Sequence, residues 1–179
     1  MEAALTYEAP DYLIGVQKKW FHTRFRDMSR QDRQVFRKCG LVNRKLVRMD
    51  VWHRLSQEGR MGELLRHCCD RGLVLVGPRH FKELRGQVKW AQRIVSGHDC
   101  WGRRQDILDQ TLQAVNKHGA GVVLVCAGMT ANVMIHELRK ELGNTRFLID
   151  FGSALDPYCG VCSRTGMRKE RRQGKTWIL

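Results

Sequence analysis

Residues 121–158 read GVVLVCAG, MTANVMIHELRKELG and NTRFLIDFGSALDPY in unbroken succession, and no other stretch restricts the fold so tightly. Val122 to Cys126 is a β-branched apolar run of the kind that a sheet buries on both faces. Ala127 and Gly128 break it, and Thr130 is placed to cap a following helix. On that helix Val133, Met134, Glu137, Leu138 and Leu142 recur at three- and four-residue spacing, with Arg139, Lys140 and Glu141 mostly outward. Gly143 and Asn144 end it, and Phe147 to Ile149 begins a second apolar run. Strand, turn, helix and strand make a βαβ unit, whose right-handed crossover sets both strand ends on one edge. Ligands of open α/β sheets bind beyond that edge. The turns at residues 127–130 and 150–153 are therefore expected to face one crevice.

The remaining chain repeats the alternation. Leu73 to Val76 is a further buried strand, closed by Gly77 and Pro78, with Arg79 and His80 just past its tip. Residues 12–16 read as a short core strand and residues 88–95 as a short, mixed one. Residues 51–71 follow a helical pattern through Leu55, Leu64 and Leu65. Residues 104–118 carry Ile107, Leu108, Thr111, Leu112 and Val115 on one face, and residues 96–101 form the loop before them. Residues 2–10 are short and polar, helical or frayed. This alternation predicts an α/β fold: a Rossmann-like, mostly parallel sheet with helices on both faces. One domain is expected over residues 1–163, followed by a basic tail, 164–179. The tail shows little periodicity and reads as lacking fixed structure until it meets a polyanion.

Charge narrows the partners. The formal net charge is +14, and residues 17–48 hold eleven cations against Asp27 and Asp32. Such an excess favours an anionic partner. Lys18, Lys19, Arg24 and Arg26, with Trp20 among them, and Arg168, Lys169, Arg171 and Arg172 in the tail are candidate contacts to DNA phosphates and bases. The competing reading is an amphipathic segment whose aromatic rings enter the core. No apolar run is long enough to span a membrane, and the first residues lack the basic and apolar regions of a secretory signal. A cytoplasmic, reducing compartment is expected, the host cytoplasm if the chain is phage-encoded, with the seven cysteines as thiols. Cys159-Gly-Val-Cys162, His67-Cys68-Cys69 and His98-Asp99-Cys100 are isolated clusters. A structural zinc site calls for two paired motifs, so no metal ligand is assigned.

No Walker loop, nucleophile elbow or dinucleotide fingerprint is present. Acidic residues at the strand edge remain. Asp150 ends a strand over the crevice, and Asp156 follows six positions on; either can hold a ribose hydroxyl, bind a divalent metal or act as a general base. At these residues VVLVCAGMTANVMIHEL followed by FLIDFGSALDPYCGVCSR resembles the C-terminal half of GT-D-type glycosyltransferase domains. The resemblance covers residues 73–164 and is most specific from Asp150 to Arg164. YEAPDYLIGV resembles the family segment that follows a metal-associated Asp-Gly-Glu motif. No Asp-Gly-Glu occurs in this chain, which implies a member shortened at its N-terminus with the divalent metal in question.

The resemblance implies transfer of a sugar from a nucleotide-sugar donor, a UDP-sugar or similar, to an acceptor hydroxyl. Gly77, Pro78, Arg79, Ala127, Gly128, Met129, Thr130, Gly152, Ser153, Tyr158 and Arg164 are the expected donor-binding residues. Asp150 and Asp156 are the expected catalytic ones. Charge alone points to the acceptor: a hydroxymethylated pyrimidine in phage DNA, flipped from the duplex. Two other readings stay open: a non-catalytic nucleic-acid-binding protein with a transferase-like fold, and a transferase for glycans or lipid-linked sugars.

Overall fold

The computed structural model describes residues 7, 9, 11–16, 22–42 and 44–179. Lys18, Lys19 and Trp20, and most of the helical reading of residues 2–10, lie outside the described residues. The chain forms two compact units, Met1–Arg54 and Leu55–Leu179.

In the first unit β1 (Ile14–Val16) pairs in parallel with β2 (Leu46–Arg48), Ile14 opposite Leu46. The three-residue β2 carries no pattern of its own, and the sequence gives no sign of it. Helix α1 (Arg30–Lys38) starts at Ser29, whose hydroxyl accepts from the Asp32 N–H at 3.1 Å. Phe36 from this helix is buried with Ile14, Val16, Met28 and Leu41. Arg33 Nη1 donates to the Arg26 carbonyl at 3.0 Å, tying the helix to the 3-10 turn Phe25–Asp27 before it.

The helical pattern over residues 51–71 resolves into α2 (Val51–Gln57) and α3 (Met61–Asp70). Gly59 parts them with φ +69°, a value that ends a helix and suits glycine.

The second unit holds a sheet of β3 (Leu73–Gly77), β4 (Gln92–Val95), β5 (Val122–Val125) and β6 (Phe147–Asp150). Their order is β4-β3-β5-β6, all parallel. Val74, Val76, Val123 and Val125 face α4 (Arg104–His118) and α5 (Thr130–Leu142), where Ile107, Val115, Met134 and Leu138 complete a fully buried layer. Each such side chain contributes about 1.5–3 kcal/mol by leaving water. Leu73, Leu75 and Leu124, at the alternate positions, are equally buried on the other face. There α3 packs on β3, bringing in Met61 and Leu65. Both faces are covered, and the fold is the Rossmann-like α/β architecture expected.

Three local expectations are corrected. Thr130 does not cap α5: it is already the first helical residue, and no side-chain oxygen caps that end. Gly128, at φ +57°, turns the chain early enough that the Ala131 N–H already bonds the Gly128 carbonyl at 3.1 Å. The strand expected over residues 88–95 is confined to Gln92–Val95; Val88 is buried beside an isolated bridge to Arg85. Part of the basic tail is ordered as α6 (Thr165–Arg172). This helix has no buried residue, hence no apolar period to read. From Met167 to Arg172 good helix formers build it, and its arginines fasten it: Arg168 Nε donates to the Cys162 carbonyl at 3.0 Å and Arg171 Nη1 to the Gly160 carbonyl at 2.8 Å. Among the described residues no helix is long and apolar enough to cross a membrane.

Candidate functional site

From β3 the chain turns to β4 on one side, and α4 then carries it back to β5 on the other. The order reverses between β3 and β5, the position where open α/β sheets leave a crevice. A cleft of about 410 Å³ opens there. Pro78, Ala127, Gly128 and Thr130, all expected from sequence, line it. So do Cys126 and the whole loop 96–101 before α4. Gly128 holds φ +57° with no atom within 4 Å of where a Cβ would stand, so its turn needs glycine and its surroundings stay open. Gly77 is different. A Cβ there would collide with the Phe81 ring and lie 3.4 Å from Cys126 Cβ, so the space it leaves is filled by packing. Met129 is 71% exposed beside the cleft.

A second cluster forms at the tip of β6. Asp150 Oδ1 accepts from the Gly152 N–H at 3.0 Å, and Gly152 takes φ +55° to allow this turn. Arg164 Nε donates to Ser153 Oγ at 3.1 Å. Burial pushes the Asp150 carboxyl above its ordinary range, while the Gly152 N–H and the Arg164 charge pull the other way. Asp150 is thus tied to Gly152, and Ser153 to Arg164, beyond the end of β6.

Asp156 opens the 3-10 helix Asp156–Cys159, its N–H donating to the Ser153 carbonyl of that cluster at 3.2 Å, and is 6% exposed. Its Oδ1 lies 2.9 Å from Nε2 of His80, on the 3-10 helix Arg79–Leu84 that follows β3. A ring N–H donated to a buried carboxylate fixes the orientation of the imidazole. Sequence reasoning placed His80 near the edge but gave it no role, because 76 residues separate it from its partner. Two thiols stand close by. Burial, then the charges of Asp156 and Asp150, holds the Cys126 thiol far above its ordinary value. Burial, then Asp156 and Glu83, pushes Cys159 up to about 12. Both surroundings disfavour the thiolate, the form that acts as a nucleophile. Tyr158 is turned to Ser56, the two hydroxyl oxygens 2.8 Å apart, and Arg79 is exposed.

Among the described residues no three His, Cys, Asp or Glu side chains gather as a metal site would need. Arg24 and Arg26 are exposed in the first unit, and Arg168, Lys169, Arg171 and Arg172 on α6. Phe25 and Phe36, interleaved with the first group, pack with ring centroids 6.3 Å apart, and Phe36 enters the core.

The model of a family described as a GT-D fold-like domain matches residues 11–158. No curated protein and no solved structure matches the chain.

Proposed function

The chain belongs to the family of GT-D fold-like domains and has their glycosyltransferase-like fold; from that membership we propose an enzyme that moves a sugar from a UDP-sugar to an acceptor hydroxyl. The observation that carries the reading is the cleft at the switch between β3 and β5, with the N-terminus of α5 opening into it. Free N–H groups at a helix start favour a diphosphate. The turn at Gly128 lets that diphosphate approach the backbone. The acceptor oxygen attacks the anomeric carbon while the bond from that carbon to the diphosphate oxygen breaks, releasing UDP. His80, held by Asp156, takes the hydroxyl proton. Asp150 orients the sugar, and Arg164 and Arg79 offset the charge on the departing diphosphate. No step is assigned to a metal ion.

For the acceptor we propose a hydroxymethylated pyrimidine in DNA of phage type. The net charge of +14 and the exposed cations of the first unit and of α6 support it. The test is incubation with mixed nucleotide sugars and DNA containing hydroxymethylcytosine, followed by nucleoside mass analysis. A mass gain of one hexose, pentose or N-acetylhexosamine is expected. DNA binding should weaken about 10³-fold or more between 50 and 200 mM salt if several phosphates are contacted. Salt-insensitive or absent binding removes DNA from the reading.

The net charge of +14 and the exposed cations equally favour one second reading, a nucleic-acid-binding protein that keeps the fold without the chemistry. Donor titration separates the two. A rise in melting temperature with nucleotide sugars favours the enzyme, and salt-dependent DNA binding without it favours the binder.

A further inference from the structure

Trp101 is 56% exposed, an unusual state for the largest apolar side chain, and it borders the cleft. The Arg104 guanidinium carbon lies 4.7 Å from the centre of its ring. Arg104 Nε is in turn 3.9 Å from Glu137 Oε1, so the cation is held between α5 and the indole. One indole face is thereby covered, which leaves the other for a ligand to stack on. The loop is braced as well. The Gly102 N–H donates to Asp99 Oδ1 at 2.9 Å, the Cys100 thiol to the Gly97 carbonyl at 3.4 Å, and a Cβ at Gly102 would collide with the Asp99 carboxylate.

Asp99 also borders the cleft, beyond the end of β4. A carboxylate offers about four acceptor positions, of which the Gly102 N–H takes one. In nucleotide-binding α/β folds an acidic side chain past a neighbouring strand's tip holds the ribose hydroxyls. The start of α5 follows β5, which lies two strand positions from β4, or ~10 Å. That is the length scale of an extended nucleoside diphosphate.

Building on the transferase reading, we propose that the loop 96–101 is the nucleoside subsite of the cleft. Trp101 stacks on the base, Asp99 accepts from the ribose hydroxyls, and the diphosphate points to the start of α5. The shared ligand chemistry is a nucleobase; a ribose hydroxyl marks it as a free ribonucleotide and not a base of DNA.

The test is calorimetric titration of the full chain and of Trp101→Leu, Trp101→Phe and Asp99→Asn with UDP, 2′-deoxy-UDP, pyrophosphate and single-stranded DNA carrying hydroxymethylcytosine. Trp101→Leu should weaken UDP about tenfold or more and Trp101→Phe only a few-fold, with pyrophosphate unchanged in both. Asp99→Asn should bring UDP down to the affinity of 2′-deoxy-UDP. The proposal is overturned if Trp101→Leu leaves UDP binding intact, if it weakens pyrophosphate equally, or if only the DNA ligand responds. Sugar transfer is followed in parallel to keep the two readings apart. Transfer with UDP binding insensitive to Trp101→Leu sinks the subsite alone. UDP binding lost in Trp101→Leu, with no transfer by the wild type from any donor, upholds the subsite and sinks the transferase.

Discussion

His80 Nε2 and Asp156 Oδ1 meet at 2.9 Å, joining the 3-10 helix after β3 to the one after β6. The carboxylate is buried while the ring reaches solvent. A buried acid thus orients a group able to exchange protons at the sheet edge.

Removing either partner should therefore separate chemistry from binding. Asp156→Asn and His80→Gln are each expected to lower kcat about 10²-fold with donor KM changed only a few-fold. The double variant should cost little more than either single one, because the two act as a unit. Steady-state kinetics check this. His80→Ala should also cost about 1–3 kcal/mol of stability in denaturant titrations, since it strips a buried carboxylate of a hydrogen bond.

Two glycines at neighbouring strand tips should respond differently to alanine. At Gly77 the new methyl meets the Phe81 ring, and a loss of about 1–3 kcal/mol is expected from overpacking. At Gly128 nothing stands in the way, and the cost comes from the left-handed backbone, about 1–2 kcal/mol. Thermal melts measure both. Repacking with Phe81→Leu should rescue Gly77→Ala and leave Gly128→Ala unchanged.

His136 makes stability depend on pH. It is 6% exposed on α5, and burial, then Lys140, lowers its pKa, with Glu137 opposing. The unfolded ring takes up its proton near 6.5, before the folded one does. Its contribution is therefore full above about 6.5 and is lost as pH falls through that value toward the folded pKa. Melting temperature should drop between pH 7.5 and 5.5, at no more than about 1.4 kcal/mol per pH unit. His136→Leu should flatten the slope; an unchanged slope would show that another group is responsible.

Cys159 should resist alkylation. With its thiol pushed up to about 12 by burial and the Asp156 and Glu83 charges, its thiolate fraction at pH 8 is about 10⁻⁴, against roughly a quarter for an ordinary thiol. Peptide mapping after iodoacetamide should find it labelled about 10³-fold more slowly than a free thiol. Asp156→Asn should speed that labelling.

Legibility in the sequence followed the strength of each local period. α4 and α5 are long with one apolar face, β3 and β5 are apolar at nearly every position, and all four are bounded by glycines, so their spans could be read almost to the residue. β2, three residues long, and α6, with no buried side chain, carry no periodic signal. Asp150, Gly152, Ser153 and Arg164 lie close enough in sequence that one turn and one loop bring them together. The pairing of His80 with Asp156, and the approach of the loop 96–101 to Gly128, join segments that only the sheet brings near each other.

The sequence by itself determined the alternation of strand and helix and the charge, because these follow from periodicity and composition along the chain. The tertiary structure decided the strand order β4-β3-β5-β6, and with it which loops share the cleft. Strand order is set by how the two apolar faces of the sheet are covered, a property of all the elements at once. That is why Trp101 and Asp99 read as connector residues in the chain and as cleft walls in the fold.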